Sequence, residues 1–259
     1  MAELWRRFSM VVRAGFSGIA FLAFGLGGLL LGVALLPLVR WRRRRAPTFE
    51  RAAACQRWVQ RAFVFFHDYM RLVTLINYQP RAVDTRTPGS RYVLIANHPT
   101  LVDVTALAAA FGRMTCIAKT PIFKSPLIGS LVRACGYIDG GSGDIVAGAA
   151  VIPQALDRLA ADMPVAIFPE GTRSPRDGLN RFRRGAFEIA CRANVPVLPI
   201  LIRCDPPALG KGRPWYDVPP RSSDFTLTPL PVMHPADFGG NAAEMAAAAE
   251  ALYRRQLNL

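Results

Sequence analysis

The sequence predicts an α/β fold, a mainly parallel sheet flanked by helices, preceded by an N-terminal membrane-anchoring helical segment. Three observations lead there. From Arg91 onward, short apolar runs alternate with helical patterns, the arrangement of a layered domain with parallel strands. Before it, Ala14 to Val39 is a 26-residue stretch without a single charge. The arginines, finally, crowd around that stretch: residues 1–51 hold nine, at 6, 7, 13, 40, 42, 43, 44, 45 and 51, against Glu3 and Glu50.

As a helix, residues 14–39 would rise about 39 Å, against about 30 Å of bilayer hydrocarbon. The run is too long for a secretory signal, and it ends in Arg40-Trp41-Arg42-Arg43-Arg44-Arg45, not in a small-residue cleavage site. Six arginines follow it and three precede it, so the positive-inside rule puts everything after residue 40 in the cytoplasm. Gly25, Gly27, Gly28, Gly32 and Pro37 leave room for a kinked or re-entrant helix, so the segment either spans the membrane or dips into it. Half of the chain's formal charge of +14 thus sits beside the apolar segment. This favours an anionic membrane surface, and no interleaved basic and aromatic block supports nucleic-acid binding. The composition, rich in Arg and Ala, suggests a bacterial source and hence a bacterial inner membrane with the domain that follows the anchor in the cytoplasm.

Residues 1–48 are read as the anchor with its basic flank, 49–80 as an amphipathic or interfacial helix, and 81–259 as the α/β domain proper. Between Phe49 and Tyr78 the helical pattern aligns Trp58, Ala62, Phe65, Phe66, Tyr69, Leu72, Val73 and Ile76. Such a helix either lies in the membrane interface or covers the sheet. Beyond it, strands are expected at 92–96, 114–118, 136–138, 164–168, 196–202 and 224–230. Helices are expected at 101–111, 126–134, 144–161, 183–193 and 241–257. The proline-rich Asp205 to Arg221 reads as a surface loop. Five scattered cysteines without a CxxC pair indicate neither a zinc site nor a disulfide framework.

Two stretches carry chemistry. In Arg91 to Asp103, RYVLIANHPTLVD, a buried strand stops at Asn97 and His98, and Pro99 cannot continue a ladder. Thr100 and Asp103 then have the spacing of a helix-start capping box. His98 on the turn and Asp103 in the first helical turn can face one cleft as a base and its orienter. Alone, this short pattern reads more simply as a helix-start carboxylate and a turn histidine. In Pro164 to Ser174, PVAIFPEGTRS, a strand again ends in a turn. Gly171 lets the backbone turn closely, and Arg173 offers a fork of donors for a phosphate or carboxylate. Glu170 is placed to hold that arginine, accept a substrate hydroxyl or satisfy backbone amides. In such sheets ligands bind beyond the carboxyl ends of strands, where both turns fall.

NHxxxxD followed by FPEGTRS resembles the glycerolipid acyltransferases, the lysophosphatidate (1-acylglycerol-3-phosphate) acyltransferase family. The resemblance runs from about Arg91 to Arg203, and Val195-Pro196-Val197-Leu198-Pro199-Ile200 matches its proline-bearing fourth block. Lys119, Phe123, Pro126 and Gly129 fit the stretch between the first two blocks. The second block departs: the family's Gly-x-Ile-x-Ile-Asp-Arg is Gly136-Tyr137-Ile138-Asp139-Gly140-Gly141-Ser142 here, without the phosphate-binding arginine.

The resemblance implies a membrane-bound O-acyltransferase that moves a fatty acyl group from an acyl thioester to the hydroxyl of a lysophospholipid. His98 would be the general base and Asp103 its orienter, with Glu170, Gly171, Thr172, Arg173 and Lys119 binding substrate. No metal or cofactor is implied, and His67 and His234 stand in unrelated contexts. Acyl-CoA or acyl carrier protein would be the co-substrate, and the basic surface suits the acidic carrier. The lost arginine supports one rival, the same chemistry on another acceptor such as an amino-lipid or polyene alcohol. A second rival, a non-catalytic lipid-binding protein of the same fold, has the intact His98, Asp103 and Glu170 against it.

Overall fold

The structure, a computed structural model, describes residues 2–141, 145–176 and 178–259. Among these, seven strands form one sheet: β1 (Ile76–Asn77), β2 (Val93–Ala96), β3 (Thr115–Ala118), β4 (Ile138–Asp139), β5 (Val165–Ile167), β6 (Val197–Asp205) and β7 (Ser223–Pro229). Their order is β1-β7-β6-β2-β5-β3-β4, and only β6 and β7 run antiparallel. Parallel neighbours require crossovers, and helices supply them. Between β2 and β3 lies α4 (Asp103–Phe111), and between β3 and β4 the short α5 (Thr120–Lys124) and α6 (Gly129–Ala134). Next come α7 (Ile145–Ala160) before β5 and α8 (Gly185–Ala193) before β6, with α9 (Ala242–Leu257) at the end. The expected helix at 144–161 begins outside the described residues, as does Ser142 of the second block.

Strand β2 is central and wholly buried, so it is apolar on both faces. Val93 and Ile95 point into a core with Ala155, Phe187 and Tyr253 from α7, α8 and α9. Leu94 and Ala96 point the other way, toward Leu107 of α4 and Met70. Tyr253 reaches through the first layer to donate its hydroxyl to the Ile95 and Ile200 carbonyls, at 3.0 and 2.9 Å.

The N-terminal segment forms one continuous rod: α1 (Ala2–Leu30), a π-helical turn (Leu31–Leu35) and α2 (Leu36–Arg42). The wide turn precedes Pro37, whose ring would crowd the carbonyl one α-turn back and which lacks an amide. Ser9–Arg42 is long and apolar enough to cross a membrane. It does not stand away from the domain, however. Arg13 is buried, donating to the Pro219 carbonyl (3.1 Å) and Thr74 Oγ1 (3.0 Å), and Ser17 donates to the Trp215 carbonyl (2.7 Å). Further along, Gly28 and Gly32 let the backbone close on Ile128 and Ser130, where any Cβ would collide. These two glycines serve close packing against α6 and its approach. The opposite face, Ile19, Leu22, Leu26, Leu30 and Val33, is exposed.

The following helix, α3 (Thr48–Leu72), ends six residues before the expected Tyr78. Thr74 takes a left-handed φ of 58°, and the chain turns into β1, too short a strand to leave a sequence pattern. One face of α3, with Ala52, Cys55, Val59 and Met70, packs into the body, while Trp58, Phe65 and Leu72 stay exposed. The expected helix at 126–134 starts only at Gly129: Ser125, which precedes Pro126, is extended, and α5 ends there.

His67 of α3 is fully buried, its Nε2 3.0 Å from Thr105 Oγ1, which donates onward to the Val102 carbonyl at 2.7 Å. Burial pushes its pKa down to about 3. Between that value and the unfolded 6.5, only the unfolded chain takes up the proton, so stability is full above pH 6.5 and falls as the pH drops. From pH 7 to 5 the loss expected from this group is about 2 kcal/mol. In His67→Gln that component should vanish, read as a smaller shift of the urea midpoint between the two pH values. Equal shifts in the two proteins would refute it.

Candidate active site

Parallel pairing of β2 with β5 sets Ile95 opposite Ile167, so the two strands end side by side. The turn carrying His98 therefore meets the turn carrying residues 168–174. The Ser174 amide donates to the His98 carbonyl at 2.7 Å, and the His98 ring stacks on Phe168 with centroids 4.2 Å apart. On the other side, Asn97 is buried and exchanges two hydrogen bonds with Ile202, donating to its carbonyl (2.9 Å) and accepting from its amide (2.7 Å). The asparagine amide thus extends the β2–β6 ladder while the backbone leaves the sheet.

His98 Nδ1 lies 2.7 Å from Asp103 Oδ2. Asp103 is fully buried, whereas the His98 side chain is 19% exposed. The carboxylate also accepts from the Thr100 amide at Oδ2 (2.8 Å) and from Thr100 Oγ1 at Oδ1 (2.5 Å). Burial holds the Asp103 carboxyl above the usual carboxylate range, against the smaller opposing pull of His98 and both Thr100 donors. An ionised carboxylate only accepts, so the facing Nδ1 carries the hydrogen and Nε2 keeps its lone pair. With Nδ1 engaged, Nε2 is the nitrogen left to meet a reacting group.

Glu170 departs from the expectation that it touches substrate. It is 3% exposed, and its oxygens are taken up internally. Oε1 accepts from the His98 amide (3.1 Å) and Ser174 Oγ (2.5 Å); Oε2 accepts from the amide and Nδ2 of Asn180 (each 2.8 Å). Of the options the sequence left open, the geometry selects the satisfaction of backbone amides. Ser174 and Asn180, which complete this knot, carried no sequence signal of their own beyond the presence of Ser174 in the second motif.

His98 opens onto a cavity of about 1360 Å³. Phe21, Phe24, Phe63 and Phe66, from α1 and α3, wall its apolar part. Gly171, Thr172, Arg173 and Lys119 line it near the motifs, so these four sequence-derived candidates share one space with His98. Arg173 spends Nη1 on the carbonyls of Leu209 (3.3 Å) and Gly210 (3.0 Å). The Leu209 carbonyl also accepts from the Leu101 amide (3.1 Å), so the 206–222 loop is tied to both motifs. An apolar cavity with a few convergent polar groups is the usual form of a small-molecule site.

Residues 73–203, which include both motifs, match the profile of the Acyltransferase family. The chain belongs to that family. Among curated relatives, the 1-acyl-sn-glycerol-3-phosphate acyltransferase of Chlamydomonas reinhardtii is 34% identical over 115 residues, 44% of this chain and 35% of that acyltransferase. The alpha form from Homo sapiens is 33% identical over 119 residues, covering 44% and 41% of the two chains. A probable 1-acyl-sn-glycerol-3-phosphate acyltransferase of Mycoplasma genitalium is 32% identical over 127 residues, covering 46% of each. The match thus spans less than half the length of these relatives. In fold, the crystal structure of the 1-acyl-sn-glycerophosphate acyltransferase PlsC from Thermotoga maritima superposes with a TM-score of 0.68 at 17% identity, over 98% of this chain and 96% of that one.

Proposed function

We propose that this acyltransferase moves a fatty acyl group from an acyl thioester, of coenzyme A or acyl carrier protein, to the hydroxyl of a lysophospholipid such as 1-acylglycerol 3-phosphate. The observation that carries the reading is the His98–Asp103 pair, hydrogen-bonded at 2.7 Å on the wall of a cavity with an apolar part and a cationic part. His98 Nε2 takes the proton of the acceptor hydroxyl as its oxygen attacks the thioester carbonyl. The carbon–sulfur bond then breaks, and the imidazolium returns the proton to the leaving thiolate. Asp103 holds the productive tautomer and stabilises the imidazolium, as the carboxylate of a serine-protease triad does, with the acceptor in the place of serine.

The apolar part, walled by α1 and α3, suits an acyl chain. The exposed faces of both helices, Leu22, Leu26, Leu30 and Val33 on one and Phe65 and Leu72 on the other, support a membrane-bound enzyme. Because α1 lies along the domain, we infer that these helices rest in the bilayer surface together, with Arg40 and Arg42–Arg45 at its anionic headgroups.

The test incubates purified full-length protein with labelled acyl-CoA or acyl carrier protein and a panel of acceptors. Esterified lysophosphatidate is the expected product. Transfer only to an amino-lipid or polyene alcohol would reassign the acceptor, and no transfer to any acceptor would overturn the enzymatic reading.

A further inference from the structure

The outer part of the 206–222 loop carries exposed groups that the reaction does not use. Trp215 and Tyr216 occupy a turn closed by the Asp217 amide, which donates to the Pro214 carbonyl at 3.1 Å. They are 46% and 59% exposed, and their rings meet edge to face with centroids 5.5 Å apart. Side chains with an apolar ring and one polar tip are the ones that collect where a bilayer meets water. The segment around them is basic. Residues 206–222 hold Lys211, Arg213 and Arg221 against a single acid, Asp217. Arg213 already neutralises Asp217 at 3.1 Å, whereas Lys211 is exposed and, among the described residues, pairs with no carboxylate.

The loop is also fastened to α1. Besides the bonds from Ser17 and Arg13 to the Trp215 and Pro219 carbonyls, Gly18 gives the indole its seat. A Cβ at Gly18 would stand 3.0 Å from Trp215 Cζ3, and Phe21 flanks the ring with centroids 6.4 Å apart. Gly18 shares one stripe of α1 with Val11, seven residues before it, and Leu22, four after it. Those two are 71% and 62% exposed, so the indole borders the open apolar face of the helix and the two surfaces are continuous. On its inner side the same loop belongs to the cavity. Leu209, Val218 and Pro219 line it, and the Leu209 and Gly210 carbonyls hold Arg173.

We propose that the loop tip from Lys211 to Tyr216 is a membrane contact in its own right, with Trp215 and Tyr216 in the headgroup layer of an anionic bilayer and Lys211 beside its charges. This rests on reading α1 and α3 as membrane-bound. Contacts at both the helix face and the loop fix the tilt of the domain. They keep the cavity rim that steadies Arg173 against the lipid from which a lysolipid acceptor arrives.

The test follows tryptophan emission of the full-length protein on vesicles of phosphatidylcholine and phosphatidylglycerol, with flotation reporting binding. The chain has four tryptophans, and the difference between wild type and Trp215→Phe isolates the contribution of Trp215. That contribution should be shielded from acrylamide on binding. It should also be quenched more by lipids brominated near the carbonyl end of the acyl chain than by those brominated near the methyl end. Lys211→Glu combined with Tyr216→Ala should weaken seating of the tip by about tenfold or more, read as loss of most of that quenching while the protein still floats. Vesicle-bound protein in which Trp215 stays open to acrylamide and unquenched by either lipid would overturn the proposal and leave the membrane-bound reading standing. Quenching that survives the double substitution unchanged, or that is stronger from the methyl end, would overturn it as well. Wild type that fails to float would overturn both.

Discussion

Asp103→Asn is expected to lower kcat nearly as far as His98→Ala, by about 10²–10⁴-fold, with the far-ultraviolet circular dichroism of both variants unchanged. The reason lies in what surrounds the carboxylate. Oδ2 accepts from both His98 Nδ1 and the Thr100 amide, and Oδ1 accepts from the Thr100 hydroxyl. An asparagine must put its NH₂ at one of these two places. Toward His98 it meets two donors, drives Nδ1 to become an acceptor and leaves the hydrogen on Nε2, the tautomer that cannot take a proton. Toward Thr100 it keeps the tautomer but removes the negative charge that stabilises the imidazolium. Either variant turning over within threefold of wild type would end the proposed role of the pair.

Glu170→Ala should act on stability and turnover together. Four donors lose a carboxylate oxygen at once; the His98 amide keeps Ser174 Oγ and Asn180 Nδ2 keeps the Arg173 carbonyl, each at 3.2 Å, but the Asn180 amide and Ser174 Oγ are left with no acceptor. Stranding the Asn180 amide and the Ser174 hydroxyl, and removing their bonds to a charged acceptor, should cost about 2–4 kcal/mol. Glu170→Gln should fall between, because a single carbonyl can serve only one side of the knot. Urea midpoints and hydrogen exchange at the His98 and Asn180 amides provide the measurement. A residue that only touched substrate would behave oppositely, with stability within about 0.5 kcal/mol of wild type and a raised KM.

The contrast between these two carboxylates shows how far the sequence could be read. Asp103 was legible because its partners, His98 and Thr100, lie within five residues of it, on a turn whose geometry local spacing dictates. Glu170 gave three readings because, although Ser174 lies four residues on, the His98 amide is 72 residues away and reaches it only through the pairing of β2 with β5, and Asn180 comes back to it from ten residues further along the loop. The strands and most of the longer helices followed from apolar periodicity, to within two or three residues. What failed was short or depended on contacts. β1 has two residues and α5 five, and the apolar pattern of α3 runs on into β1 although the helix has ended. The packing role of Gly25, Gly28 and Gly32 left no local signal, because the surface they fit, Leu127 to Leu131, lies far along the chain. Arg183 and Arg184 read only as the start of a helix until the fold turned them toward the cavity.

The rod from α1 to α2 has one practical consequence. A tether could be cut and the enzyme would still work in water. Here Phe21, Phe24, Gly28 and Leu31 are themselves wall, and Arg13 and Ser17 clasp the loop whose carbonyls steady Arg173. A truncated protein starting at Thr48 would have an unroofed basin where the proposed acyl-chain site stands, and solubility gained in that way would come with a dismantled cavity.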